Sequence, residues 1–150
     1  MTQVDFYILS RVSDDELLRL ASRIAEKAVG RGQHVHVNAE SPAQAQQLDD
    51  VLWTFSQSSF LPHRIMTPDA SRSSAASIAE PVLIGSGLEP PDGPWDILIN
   101  LAQTVPEFFS RFERVAEVVD GDTARRNHGR ERYRYYRDRG YELRTHNLTI

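Results

Sequence analysis

The chain has 150 residues, of which 40% are hydrophobic and 25% charged, a composition typical of one globular domain spanning residues 1–150. It contains no cysteine, which excludes disulfides, cysteine–zinc sites and thiol catalysis and fits a reducing compartment. The N-terminal residues show no secretory signal pattern, and no apolar run is long enough to span a bilayer. We therefore expect a cytoplasmic protein with no membrane association.

The net charge of −4 is unevenly distributed along the chain. Residues 1–121 hold 17 acidic and 9 basic residues, whereas residues 122–150 hold 8 basic and 4 acidic residues. All eight of those basic residues are arginines. A nucleic-acid-binding domain usually presents a broad basic face, so this distribution favours a small or short anionic partner, such as an acidic peptide or a phosphate.

The first fifty residues alternate strand and helix signals. A Ser-x-x-Glu capping box at Ser13 and a Ser-Pro pair at Ser41 mark two helix starts. In chain order, the predicted elements are a strand at Val4–Leu9, a helix from Asp14 to Gly30, a strand at His34–Asn38 and a helix from Pro42 to about Trp53. This β-α-β-α order predicts parallel strands.

The remaining residues continue the pattern less regularly. The predicted elements are a short strand within Pro62–Met66, a surface loop at 67–79, a strand at Val82–Ile84, a turn segment at 85–94, a strand at Asp96–Leu101, a short helix from Pro106, a strand at Arg114–Val119, a helix over 122–139 and an edge strand within Tyr141–Leu148. The fold class is therefore α/β, a single domain with a mostly parallel central sheet flanked by helices. It is Rossmann-like, but without a phosphate loop.

Two features that could bind phosphate or metal have simpler interpretations. Gly85-Ser86-Gly87 follows a strand but lacks the spacing of known phosphate loops, and the single lysine, Lys27, lies inside the first helix. We interpret the glycines as a turn. His34 and His36 lie on one face of a strand, but no third metal ligand is near in sequence, so we expect a structural role and no metal site.

Catalytic patterns are equally weak. Asp49 and Asp50 are adjacent on a helix and diverge by about 100°, so we expect a solvated face rather than a pair of catalytic carboxylates. The sequence has neither Gly-x-Ser-x-Gly nor His-Glu-x-x-His. No cofactor is implied.

The C-terminal helix carries the most informative pattern. Arg126, Arg130, Tyr133, Arg134 and Arg137 follow one another at helical spacing on one face. Arginine forks beside a tyrosine ring suit the recognition of a carboxylate together with an aromatic group. The competing interpretation is that the arginines only solubilise an exposed helix.

Three segments together resemble a known family. They are Asp5-Phe6-Tyr7-Ile8-Leu9, the block from Leu48 to Trp53 followed by Ser59-Phe60-Leu61-Pro62-His63, and Asp96–Leu101 with the late Arg130-Glu131-Arg132-Tyr133 helix. In this order and spacing they resemble the chi subunit of the bacterial DNA polymerase III holoenzyme. The resemblance covers nearly the whole chain.

The resemblance implies a non-catalytic accessory subunit of the replicative polymerase holoenzyme. Chi subunits bind the acidic C-terminal tail of single-stranded-DNA-binding protein, which ends in aspartates and a phenylalanine, and they join the clamp loader through the psi subunit. By matching position, the resemblance assigns tail binding to Arg130, Tyr133, Arg126, Arg134, Trp53, Phe60 and Val119. Contact with nucleic acid would be mainly indirect.

Two alternatives remain. A small nucleic-acid- or nucleotide-processing α/β enzyme would need a cluster of carboxylates or histidines, which the sequence does not show. Direct single-strand binding through the arginines and tyrosines of the last helix is disfavoured by the acidic body.

Overall fold

The computed structural model describes residues 2–54, 61–66, 80–91 and 95–148. Within these ranges the elements are β1 (Gln3–Leu9), α1 (Asp14–Gly30), β2 (Val35–Ala39), α2 (Pro42–Thr54), β3 (His63–Ile65), β4 (Val82–Ser86), β5 (Ile97–Asn100), a 3₁₀ helix (Glu107–Arg111), β6 (Arg114–Val119), α3 (Thr123–Asp138) and β7 (Glu142–Leu148). These elements confirm the predicted strands and helices, except that β4 extends through Gly85 and Ser86, the first residues of the predicted turn segment, because they pair with β2. The loop predicted over 67–79 and the last part of the turn segment, residues 92–94, lie outside the described residues.

The seven strands form one sheet in the order β3-β4-β2-β5-β6-β1-β7, and every described pair is parallel. The α/β class with a parallel sheet is therefore confirmed. Strands β3 and β7 form the two edges, and β7 confirms the edge strand predicted from its alternating sequence.

The helices cover both faces of the sheet, as parallel sheets require. Helices α1 and α2 bury Leu17, Leu20, Leu48 and Leu52 on one face. On the other face lie α3 and the 3₁₀ helix, which contribute Tyr136 and Phe109, among others, to a second core. The arginine-rich helix is therefore separated from α2 by the thickness of the sheet.

The start of α1 is tied to the end of β6. The Ser13 hydroxyl accepts a hydrogen bond from the backbone N–H of Glu16 at 3.1 Å, as the capping box predicts. The Ser13 backbone N–H, which a capping box would bond to the Glu16 side chain, instead donates to Asp120 Oδ2 at 3.1 Å. Because Asp120 directly follows β6, this bond joins two layers of the fold.

Helix α3 approaches β6 closely because it has a glycine at its point of contact. Gly129 is buried, and a Cβ atom at this position would lie 3.1 Å from Val119 Cγ2. Glycine within a helix costs about 1 kcal/mol relative to alanine, so its presence here is explained by the packing. The same close approach brings the arginine-bearing face of α3 beside β1 and β7.

Candidate functional site

A surface pocket of about 320 Å³ lies where α3 meets β1 and β7. It is lined by Phe6, Ile8, Val119, Arg126, Gly129, Arg130, Tyr133, Thr145 and Asn147. Four of the seven residues predicted to bind the acidic tail therefore surround one cavity. These four are Arg126, Arg130, Tyr133 and Val119.

The apolar part of this α3–β7 pocket is aromatic and aliphatic. The rings of Tyr133 and Phe6 lie 5.3 Å apart and are tilted by 59°. Phe6 is buried, whereas Tyr133 is only partly buried, so one face of the pocket presents a tyrosine ring held in place by the core. Val119 and Ile8 add branched side chains. An aromatic side chain of a ligand would find complementary surface here.

The polar part of the pocket consists of two guanidinium groups. Arg126 Nε donates to the backbone oxygen of Asp120 at 3.3 Å, and Arg130 Nη1 donates to Asn127 Oδ1 at 3.1 Å. Neither guanidinium forms an ion pair with a carboxylate among the described residues. Both arginines therefore retain donors for an incoming carboxylate, which guanidinium groups bind through paired hydrogen bonds.

A buried ion pair fixes the inner side of α3. Arg132 Nε donates to Glu117 Oε1 at 2.7 Å, and both side chains are almost completely buried. The Tyr136 hydroxyl donates to Glu117 Oε2 at 2.7 Å, and Asn100 Nδ2 lies 3.0 Å from the same oxygen. Burial, followed by the nearby Glu117 carboxylate, raises the pKa of Tyr136, so its hydroxyl remains a neutral donor.

The hydrogen bonds continue across the sheet from this ion pair. Asn100 Oδ1 accepts from Asn38 Nδ2 at 3.0 Å, and Asn38 Oδ1 accepts from the backbone N–H of Gly87 at 3.1 Å. The turn at Gly87, which has a φ of +67°, is thereby held by the side chain of a neighbouring strand. These contacts account for the buried asparagines at the ends of β2 and β5.

A second ion pair fixes the beginning of α3. Asp120 is fully buried and receives two hydrogen bonds from Arg125, from Nε at 2.8 Å and from Nη2 at 2.7 Å. Burial alone would raise the pKa of the Asp120 carboxyl, but the hydrogen bonds from Arg125 and from the backbone of Asp122 and Ser13 lower it below its ordinary value. Helix α3 is thus anchored to the sheet at its start through Asp120 and on its inner side through Glu117.

Three predicted tail-binding residues are not brought to this pocket. Trp53 lies at the end of α2, on the opposite face of the sheet and near its other edge, where its ring is 4.8 Å from that of His63. Trp53 therefore does not help to form this pocket, because the strand order places α2 and α3 far apart. Arg134 is exposed one turn beyond Arg130 and does not line the cavity. Phe60 lies outside the described residues.

Five lining residues were absent from the sequence prediction: Phe6, Ile8, Gly129, Thr145 and Asn147. The unusual helix-interior glycine was a local signal for Gly129. The others come together only because β1 pairs with β7, where Phe6 lies opposite Thr145 and Ile8 opposite Asn147. That pairing joins residues about 140 positions apart and leaves no local signal.

The carboxyl ends of β2, β4 and β5 border a larger cavity of about 990 Å³, at the place where ligands bind in many parallel α/β folds. Its charged lining residues are Glu40, Glu89 and Glu107. Carboxylates at these positions repel phosphate, so the cavity does not suit a nucleotide. The turn expected over Gly85-Ser86-Gly87 begins only at Gly87, because Gly85 and Ser86 extend β4 and pair with β2.

His36, which we expected to be structural, is buried in the core among aromatic rings. His36 is enclosed by the rings of Trp95, Phe108 and Phe112, and burial lowers its pKa to about 3, which keeps it neutral. Within the described ranges, no group of three or more His, Cys, Asp or Glu side chains could hold a metal ion. None of the helices in these ranges contains an apolar stretch that could span a bilayer.

The expectation of a solvated Asp49 is wrong. Asp49 Oδ1 lies 3.1 Å from His63 Nε2, while the Leu61 carbonyl oxygen lies 2.6 Å from His63 Nδ1. The His63 side chain is 1% exposed, so this contact joins α2 to the edge strand β3. Asp50 is exposed, as predicted.

Together, the fold and the α3–β7 pocket define a parallel α/β domain with a surface suited to binding an acidic, aromatic ligand. The comparisons then place it in a family: the family model for the DNA polymerase III chi subunit, HolC, matches residues 1–144. The chain belongs to the DNA polymerase III chi subunit family, whose members are accessory subunits in DNA replication.

Three relatives named DNA polymerase III subunit chi support this placement. The Pseudomonas aeruginosa protein is 39% identical over 148 residues, which cover 99% of this chain and 98% of that protein. The proteins of Haemophilus influenzae and Escherichia coli K12 are each 30% identical, covering 95% and 97% of both chains, respectively. The crystal structure of T4 UvsW is similar in fold, with a TM-score of 0.70 at 8% identity, over 99% of this chain and 42% of that one.

Proposed function

We propose that this chain is a non-catalytic adaptor that binds the acidic C-terminal tail of single-stranded-DNA-binding protein and links it to the clamp loader through the psi subunit. The observation that carries the proposal is the α3–β7 pocket, where Arg126 and Arg130 flank an apolar recess of Tyr133, Phe6 and Val119. The terminal phenyl ring would enter the recess. Its α-carboxylate would pair with Arg130, and the preceding aspartates would lie near Arg126.

The electrostatic character of the pocket predicts how binding depends on salt. The Arg130 guanidinium is exposed, so its contact with a carboxylate is partly screened by ions. We expect micromolar affinity that weakens as the salt concentration rises. The contact between the terminal phenyl ring of the peptide and the recess is apolar and should persist at high salt. The residual affinity at high salt therefore comes from Tyr133 and its neighbours.

Arg130→Ala tests the proposal directly. We expect it to weaken binding roughly 10- to 100-fold, because it removes charge-assisted hydrogen bonds worth about 1.5–3 kcal/mol. The measurement is fluorescence anisotropy of a labelled nine-residue acidic peptide ending in Asp-Phe, titrated with each variant. A peptide with an amidated C-terminus should lose affinity for the wild type but little more for Arg130→Ala.

Arg19→Ala is a matched control, since Arg19 is exposed on α1 and pairs with Asp15 away from the pocket. It should bind the peptide as the wild type does, and circular dichroism should show that both variants are folded. Equal loss in the two variants, or no saturable binding by the wild type, would remove the tail-binding proposal.

An adaptor must also bind a second partner, and the exposure of Trp53 supports a second binding surface. Its side chain is 55% exposed, which is unusual for a tryptophan, and exposed aromatic rings are enriched at protein interfaces. It lies across the sheet from the tail pocket, so both partners could bind at once. This placement supports the assignment of Trp53 to the psi contact rather than to the tail.

Trp53→Ala is therefore expected to weaken co-purification of the psi subunit by at least about tenfold, as removal of a central interface tryptophan commonly costs 2 kcal/mol or more. Tail-peptide affinity should stay within about twofold of the wild type. Loss of peptide binding with retention of psi would reverse the assignment of this residue.

A further inference from the structure

One part of the sheet is left partly uncovered on the α1 side. Helix α1 packs on β2, β5 and β6, while Tyr7 and Leu148, on β1 and β7, remain only partly buried on that face. Parallel sheets are normally covered on both faces. The gap between α1 and these strands is a groove of about 480 Å³.

The wall that α1 contributes to this groove is basic. The row consists of Arg23 and Lys27 on α1 and Arg31 directly after it, at intervals of four residues, and all three line the groove. All three residues are exposed, and none has an ion pair or side-chain hydrogen bond with a described residue. Cations at this spacing repel one another, and the helix dipole offsets this repulsion only at the C-terminal end, where Lys27 and Arg31 lie.

The sheet wall adds a balanced ion pair and aromatic surface. Arg114 Nη2 pairs with Asp5 at 2.8 Å, and His146 Nε2 lies 3.2 Å from the same carboxyl group. Asp5 is the only acidic residue lining the groove within the described ranges, and Arg114 balances its charge. The Tyr7 and His146 rings stack, with 4.8 Å between their centroids.

We infer that this groove, which we call the α1–β7 groove, binds the phosphate backbone of single-stranded nucleic acid. Successive cations of the row are about 6 Å apart along the helix axis, so the three form a track rather than converging on one point. A track of cations beside aromatic rings is the arrangement with which proteins hold single strands without reading sequence. Of the acidic residues of α1, Asp14, Asp15 and Glu16 lie at the opposite end of the helix, and Glu26 does not line the groove.

This proposal concerns a different surface from the tail-binding pocket. The arginines of α3 do not line the α1–β7 groove, and β1 and β7 separate the two cavities. A linear track favours a strand with regularly repeated phosphates over a short peptide, whose carboxylates would be better held by converging forks. The two sites can therefore be tested separately.

The test is binding of a labelled twelve-residue oligothymidylate to the full chain, measured by fluorescence anisotropy between about 20 and 200 mM salt. Three phosphate contacts should give a slope of log affinity against log salt of about −2. Arg23→Gln/Lys27→Gln/Arg31→Gln should lower affinity at low salt by about tenfold or more and flatten the slope. The control Arg11→Gln/Arg19→Gln/Arg137→Gln removes the same number of charges outside the groove and should bind within about twofold of the wild type.

The acidic tail peptide is titrated in parallel against all proteins. Unchanged peptide binding by the groove variant, with loss of the oligonucleotide, supports the inference whether or not Arg130 acts as proposed. Three outcomes would overturn it: no oligonucleotide binding by the wild type at 20 mM salt, equal loss in the control variant, or loss of peptide binding alone, which would make the groove a peptide site.

Discussion

Replacing Arg132 by methionine is expected to lower the free energy of unfolding by about 3–5 kcal/mol. Methionine can fill much of the volume of the arginine stem, but it leaves the Glu117 carboxylate charged and buried without its ionic partner. An uncompensated buried charge is among the most destabilising changes a fold can undergo. The hydrogen bond from Arg132 Nη1 to the Gln103 carbonyl at 3.0 Å is lost as well. Urea unfolding followed by circular dichroism measures the effect.

A second variant separates charge from packing. Glu117→Gln/Arg132→Met removes the stranded charge and keeps an oxygen that can accept from Tyr136, so it should recover most of the lost stability. Arg137→Met, an exposed change on the same helix, should cost about 0.5 kcal/mol or less. If Arg132→Met proved no worse than Arg137→Met, the ion pair would not anchor α3.

Much of the fold could be predicted because its signals are local. The capping serines Ser13 and Ser41 each accept a backbone hydrogen bond where the sequence places a helix start. The order of the strands in the sheet could not be predicted in this way. It depends on contacts between the apolar faces of elements that are far apart in sequence. Strand β5 lies between β2 and β6, and nothing in the sequence near Ile97 indicates this position.

The candidate site likewise contains residues that the local sequence predicts and residues whose positions depend on the fold. Arg126, Arg130 and Tyr133 are one or two helical turns apart, so spacing alone places them together on α3. The position of Trp53 is set by the order of the strands, and that of Thr145 by the pairing of β1 with β7. Neither position can be predicted from the local sequence pattern. The α1–β7 groove could not be predicted from the sequence for a related reason. Its row of cations was visible in sequence, but the uncovered sheet face that makes it a groove was not.

Replacing Asp120 by asparagine is expected to cost about 2–3 kcal/mol of unfolding free energy at pH 7. The wild-type carboxylate is buried and accepts four hydrogen bonds, two from Arg125 and one each from the backbone of Ser13 and Asp122. Asparagine has a single acceptor oxygen and no charge, and it presents donors toward Arg125. The expected loss of unfolding free energy is smaller than for a fully buried ion pair because the Arg125 side chain is 34% exposed, so that solvent partly screens its charge.

The pH dependence gives the same prediction an independent test. The pKa of Asp120 in the fold lies below its ordinary value of about 3.8, so its charge stabilises the fold above that value. This contribution is lost as the pH falls through the lowered pKa. The difference in unfolding free energy between wild type and Asp120→Asn should therefore be constant from pH 7 to 5 and shrink below about pH 3.8. Asp15→Asn, at an exposed ion pair, should change stability by about 0.5 kcal/mol or less throughout. A difference between wild type and Asp120→Asn that stays constant into acid would mean that hydrogen-bond geometry, and not the charge of Asp120, holds the start of α3 against β6.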